Sequence, residues 1–209
     1  MKVEKIDHIV YVVPRLEAGV EKIEKLLGVM PTPGGSHPDK GTHNALVRLG
    51  PRTYFEIIAP DPTQNYTGER WMSVDRSENY YRITRWAFHL NSLEEKLPEL
   101  SKYFKKSVNL LNSRRISPEG GYLEWKMTEP LFLHDIEIIP FLIAWNGNLH
   151  PCQSLNHSCR LTQLRLFHPY PQKINCVLAL LDVPCKVQYG NIPKISTEIE
   201  SPKGTILIS

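Results

Sequence analysis

A chain of 209 residues with 41% hydrophobic and 22% charged residues has enough apolar material for a buried core, and that balance excludes a disordered chain. A formal net charge of +3 is too small to indicate a nucleic-acid or membrane-surface partner. The first residues, Met1 to Asp7, mix charges and form no apolar leader, and no run approaches the roughly 20 apolar residues of a membrane helix, so a cytoplasmic location is expected.

Residues 6–13 and 53–58 are dominated by β-branched and aromatic residues and read as strands. Each carries one ionisable residue in an otherwise apolar run. Alternation places His8 with Val10 and Val12, and Glu56 with Tyr54 and Ile58. If those faces line one concave sheet, an imidazole and a carboxylate meet in a cavity, where they can bind a metal or move protons. The alternative is a hydrogen-bonded core histidine and a solvated glutamate. Between the strands, Leu16, Val20, Ile23, Leu26 and Leu27 recur at helical spacing and Gly28 supplies the stop. Gly34 to Asn44 is rich in turn residues, and 45–49 is a further strand. His37 in this Gly-rich loop is either an acid-base group or the cap of a rigid turn, and Asn44 either satisfies its turn or touches substrate.

Residues 61–81 read as a connection with a short helix near Trp71. Arg85 to Leu90 is then a strand, and Leu93, Leu97, Leu100 and Phe104 form a helical stripe. Strands are expected over 108–113, 122–127 and 136–145, with a turn at 117–121 between the first two. Alternation sends one of Arg114 and Arg115 inward, where a guanidinium would grip a carboxylate or phosphate. Trp86, Trp125 and Trp145 are core residues or the wall of a pocket. Leu161 to His168 is again a strand, followed by a helical stripe of Ile174, Val177, Leu178 and Leu181 and three short strands over 186–189, 195–199 and 205–208.

The interval from Pro14 to Asn91 is 77 residues and that from Asn91 to Pro169 is 78, with the same order of elements each time. The expected fold is therefore α+β: repeated βαβββ modules at 1–60, 82–146 and 160–209 within one domain 1–209. Their sheets should be curved and mostly antiparallel around a ligand cavity, with helices outside. Cys152, Cys159, Cys176 and Cys185 show no C-x-x-C spacing; His150, Cys152, His157 and Cys159 can be drawn as a zinc site but lack a knuckle pattern.

The run Ile6 to Val13, the helix ending Leu27-Gly28-Val29, Gly34 to Pro38, Asn44 to Leu46 and Tyr54 to Pro60 resemble the glyoxalase-like domain of the vicinal oxygen chelate superfamily. Pro140 to Trp145 and His168-Pro169 extend the likeness to a branch found in bacterial proteins. The resemblance implies paired modules around a cavity, with His8 and Glu56 as ligands of one divalent cation (zinc, manganese, nickel or iron). Counting along the repeat puts Arg85 and Gln163 at the position of His8, so neither later module repeats the His/Glu pair. Gln163 is the third ligand offered, by an amide oxygen, and the third module is expected to complete the sheet around this site.

Glu56 and His37 are the catalytic candidates, and Asn44, Arg85, Arg115 and Trp145 the substrate contacts. The function implied is a lyase, isomerase or dioxygenase acting on a small oxygen-bearing substrate. The alternative is a metal-free protein that binds or sequesters a small molecule. The partner is a small-molecule ligand, with a homodimer compatible and neither nucleic acid nor membrane indicated.

Overall fold

A computed structural model describes residues 5–76, 80–116, 121–129, 135–147, 150–156 and 158–209. The expected turn at 117–121 therefore lies, except for Gly121, outside the described residues, as does His157. Strand β1 (Ile6–Val12), helix α1 (Leu16–Leu27) and strands β2 (Thr32–His37), β3 (Thr42–Arg48) and β4 (Tyr54–Pro60) form the first βαβββ unit. The second comprises β5 (Arg82–His89), α2 (Leu97–Phe104), β6 (Leu110–Ile116), β7 (Tyr122–Thr128) and β8 (Phe141–Trp145). The same order recurs in β9 (Arg160–His168), α3 (Pro171–Leu180), β10 (Val187–Tyr189), β11 (Lys194–Ser201) and β12 (Gly204–Ile208).

The first two units close one barrel in the order β1-β4-β3-β2-β6-β7-β8-β5. Within each, the first strand pairs parallel with the last, β1 with β4 and β5 with β8. The seams are antiparallel, β1 against β5 and a single bridge from Ser36 to Ile116 between β2 and β6. Val10, Val12, Ile58, Ala87 and Ile143 face the interior, while Ile9, Tyr11, Phe55, Ile57, Trp86 and Phe88 belong to the larger outer core. Strands buried on both faces need apolar residues at every position, which is why β1 and β4 read as continuous runs instead of alternating ones.

Helix α1 lies close on that outer face. A Cβ at Gly19 would approach the Val13 side chain at 2.7 Å and that of Ile57 at 2.9 Å, so only glycine permits the approach. Ile23 and Leu27 are buried, whereas Leu26 faces solvent. Strand β8 begins at Phe141 and not at 136, because Pro140 offers no N–H to a ladder.

The third unit does not complete the sheet around the cavity, contrary to the expectation from the repeat. Its order is β10-β9-β11-β12, with the first strand inside the sheet instead of at its edge. Two units already close the barrel, leaving no edge to extend. The third sheet covers an outer face: Leu161, Leu164, Leu166, Ile195, Ile199 and Ile208 pack in the cluster that holds Ile9, Tyr11 and Trp86. Ending the chain at Asn146 should uncover this face and give aggregation and strong dye binding. Size-exclusion chromatography with ANS fluorescence tests it, and a monodisperse, dye-negative fragment would count against the covering role.

Candidate active site

The site begins with an irregularity in β1. Ile6 pairs with Phe88 and His8 with Ala87, so Asp7 is an extra residue without a partner in the β5 ladder. The bulge brings neighbouring side chains together: Nδ1 of His8 lies 2.7 Å from Oδ1 of Asp7. Trp145 donates its indole N–H to Oδ2 of Asp7 at 2.9 Å, and His150 Nε2 reaches the same oxygen at 3.4 Å. The backbone N–H of Cys152 donates to Nδ1 of His150, which leaves the His150 hydrogen on Nε2, facing Asp7. Burial by itself would raise the Asp7 carboxyl, but hydrogen bonds from His150 and His8 and their charges hold it well below the usual carboxylate range. Burial lowers the His150 imidazole, against the pull of Asp7.

An ionised Asp7 accepts only, so His8 presents a hydrogen on Nδ1 and turns Nε2 toward Glu56. The His8 ring is stacked on Tyr54 at 4.6 Å and 16°. Its Nε2 is 3.6 Å from Oε2 of Glu56, beyond a direct hydrogen bond but close enough for a substrate atom to touch both. Oε1 of Glu56 accepts from Asn44 Nδ2 at 2.6 Å, and Asn44 Oδ1 accepts from Arg115 Nη1 at 3.3 Å. The result is one polar chain, Asp7–His8–Glu56–Asn44–Arg115, drawn from β1, β4, β3 and β6. Gly34 of β2 makes room for it, since a Cβ there would come within 2.1 Å of Asn44 Oδ1 and 2.4 Å of Arg115 Nη1. Gly34→Ala should therefore cost about 1–3 kcal/mol of stability by overpacking. Denaturant unfolding checks this, and a neutral effect would mean the Asn44–Arg115 pair relaxes freely.

These groups line a narrow cavity, together with His37, Trp71, Met72 and the second-unit residues Trp125, Met127, Phe141, Ile143 and Trp145. The lining is divided by origin. The first unit contributes the imidazoles, the amide and the carboxylate; the second contributes Arg115 and otherwise apolar or indole surface. Trp71 closes one side, its indole N–H on Thr42 Oγ1 at 3.1 Å and its ring 6.4 Å from that of Trp125. Met72 and Ser73 beside it are left-handed at φ 58° and 63°, a strained pair for residues with side chains. His37 is buried between Trp71 and Trp125 with Nδ1 3.1 Å from Thr42 Oγ1. Burial, reinforced by the charge of Arg115, pushes its pKa down to about 3, so it is neutral and a weak base at physiological pH.

The structure thus brings His8, His37, Asn44, Glu56, Arg115 and Trp145 to one cavity and leaves two candidates elsewhere. Gln163 is exposed on the outer sheet, its Oε1 accepting from Arg165 Nε, so it supplies no ligand here. Arg85 lies outside this cavity, tied to the carbonyls of Thr84 and Asp135. The ladder puts Ala87 beside His8 and Arg85 beside Val10, two residues further along the strand. Arg114 is exposed over Tyr122 while Arg115 is buried, as alternation requires. Trp86 belongs to the outer core and donates to the Ile138 carbonyl. Of the sketched zinc set, Cys159 sits in the outer core, away from His150 and Cys152.

The donor set does not fit a divalent cation. His8 and Glu56 offer two donors, while the facing wall of Ala87, Phe141 and Ile143 offers none, and stable sites need three or four. Among the described residues no group of three His, Cys, Asp or Glu converges on one point. Nothing in the sequence marks Asp7 or Trp71 as a site residue, and it offers His150 only as a sketched zinc ligand and Tyr54 only as a neighbour of Glu56 on its strand face. Strict alternation sends Asp7 to the face opposite His8, and nothing local marks the bulge.

The family described as a glyoxalase-like domain matches residues 6–181. No curated protein matches the sequence. A hypothetical protein from Staphylococcus aureus is 15% identical with a TM-score of 0.66, over 91% of this chain and 88% of that one. A methylmalonyl-CoA epimerase from Streptomyces coelicolor, solved with 2-nitronate-propionyl-CoA, is 16% identical with a TM-score of 0.45, over 66% of this chain and 92% of that one. A hypothetical protein from Bacillus halodurans is 16% identical with a TM-score of 0.46, covering 70% and 96%. At such identities the likeness concerns the fold alone. No helix among the described residues is long and apolar enough to cross a membrane.

Proposed function

The chain belongs to the glyoxalase-like domain family of the vicinal oxygen chelate superfamily, and from that premise we propose a proton-transferring enzyme of isomerase or lyase type, acting on a small carbonyl or carboxylate substrate. The observation that carries this reading is the polar chain from Asp7 to Arg115 inside one cavity. Arg115, braced by Asn44, takes the substrate oxygen and stabilises the negative charge that develops on it. Glu56 removes the proton from the carbon beside that carbonyl; the C–H electron pair passes to the oxygen as an enolate. His8, with its hydrogen held on Nδ1 by Asp7, uses Nε2 to relay the proton back to carbon or to a leaving group. His37 serves as a neutral hydrogen-bonding partner and not as the base, because burial pushes its pKa down to about 3 and leaves it little affinity for a proton.

No step is routed through a metal, since the donor set is two ligands short of a closed site. Equilibrium dialysis against zinc, manganese, nickel and iron(II) should leave well under one equivalent bound, and a stoichiometric ion lost in His8→Ala would overturn that expectation. A second reading, sequestration without chemistry, is favoured by the apolar wall from the second unit.

Incubation of the protein in D₂O with a panel of short 2-oxo and 2-hydroxy acids separates the two. Proton NMR should show deuterium entering the position beside the carbonyl of at least one acid. Acids that bind without exchange would replace the enzyme reading with sequestration.

A further inference from the structure

The barrel interior does not end at the cavity of His8 and Glu56. Met72, Met127 and Phe141 line that cavity on one side and a second narrow space on the other, whose charged lining residues are Arg85, Glu129 and Glu137. Arg85 and Glu137 are more than nine-tenths buried, at 7% and 8% exposure. Arg85 is fixed by the Thr84 carbonyl at 2.8 Å, the Asp135 carbonyl at 3.0 Å and Ser73 Oγ at 3.1 Å. Glu137 Oε1 accepts from the Ile139 N–H at 3.4 Å, while Oε2 is buried with no hydrogen-bond partner among the described residues.

Leaving a buried carboxylate oxygen unpaired is costly, and burial pushes the Glu137 carboxyl up to about 7. The proton-transfer reading uses neither Glu137 nor Arg85. Between the two spaces the septum is mostly methionine, whose unbranched side chain changes rotamer readily and yields to a ligand.

We infer that this second space is a distal substrate subsite, in which Glu137 Oε2 accepts a hydrogen bond from a hydroxyl or amide N–H at the far end of an elongated, acid-headed substrate. The inference rests on the proposed role of Arg115 as the anchor for the acid group. The methylene body would pass between Met72 and Met127, whose walls are apolar. Glu137 and Glu129 disfavour a second anion at the tail, and Arg85 offsets their pull on an ammonium, whereas an uncharged donor meets no repulsion.

Calorimetric titration with three matched pairs tests this: butanoate and 4-hydroxybutanoate, hexanoate and 6-hydroxyhexanoate, octanoate and 8-hydroxyoctanoate. One of the longer hydroxy acids should bind about tenfold more tightly than its parent, with no such gain for the shortest pair. Glu137→Leu should bring the ratio to about one, and Glu137→Gln, which keeps an acceptor oxygen, should preserve it. A ratio near one at every length, or a gain that survives in Glu137→Leu, overturns the subsite. Should the Leu variant fail to fold, loss of the gain in Glu137→Gln overturns it equally. If none of the acids binds, the anchoring role of Arg115 fails and the distal subsite with it; if the parent acids bind and lose affinity in Arg115→Ala, only the subsite is at stake.

Discussion

Asp7→Ala is expected to lower the unfolding free energy by about 3–5 kcal/mol, the range for removing one member of a buried ionic network. The carboxylate is fully buried and holds His8, His150 and the Trp145 indole on its two oxygens. Without it, three donors from separate parts of the chain lose their acceptor in a space that water does not freely enter. Urea denaturation followed by tryptophan fluorescence at pH 7 measures the loss; a change within about 1 kcal/mol would mean that the donors find other partners or that the residue is hydrated.

The pH dependence separates charge from shape. Because the folded-state pKa of Asp7 lies below that of the unfolded chain, its contribution is fully present above about pH 4 and is lost as pH falls toward the folded value. Asp7→Asn keeps the shape but not the charge. The stability gap between wild type and Asp7→Asn should therefore be constant from pH 7 to about 5 and shrink as the pH drops toward 2. A gap that does not change over that range would remove the case for an ionised Asp7.

Glu56→Gln is expected to lower the rate of deuterium exchange into the substrate by about 10²–10⁴-fold, the usual range for loss of a positioned general base. The substitution is nearly isosteric, and the glutamine Oε1 can still accept from Asn44, so the cavity should survive. His8→Gln should give a loss of similar order, because Nε2 lies 3.6 Å from Glu56 Oε2, placed to relay the proton. In Asp7→Asn the His8 tautomer is no longer imposed, and the rate should fall further than the affinity. An exchange rate in Glu56→Gln within threefold of wild type would exclude Glu56 as the base. Unchanged binding of the same acid would then assign the proton transfer to another group of the cavity.

Much of the architecture was legible because it rests on local chemistry. Stripes such as Leu16, Val20, Ile23 and Leu27 form helices wherever they are packed, and β-branched runs such as Ile6 to Val12 form strands, so the thrice-repeated βαβββ order could be read before any contact was known. The pairing of His8 with Glu56 was also accessible, since each lies at an inward position of a strand whose period is two. Alternation likewise separated Arg115 from Arg114.

What the sequence alone determined, then, is the identity and order of the elements and the faces they bury. Only the tertiary structure decided how the third unit is wired, since strand order within a sheet depends on which edges remain open after the barrel closes, and no local signal records that. The bulge at Asp7 was equally hidden, because a one-residue slip between β1 and β5 is set by the fit of both strands in the closed barrel. That slip leaves Asp7 unpaired in the β5 ladder and turns it toward His8, His150 and Trp145. The electrostatics are tertiary too: hydrogen bonds from His150 and His8 make Asp7 a strong acid against the effect of burial, and burial makes His37 a weak base.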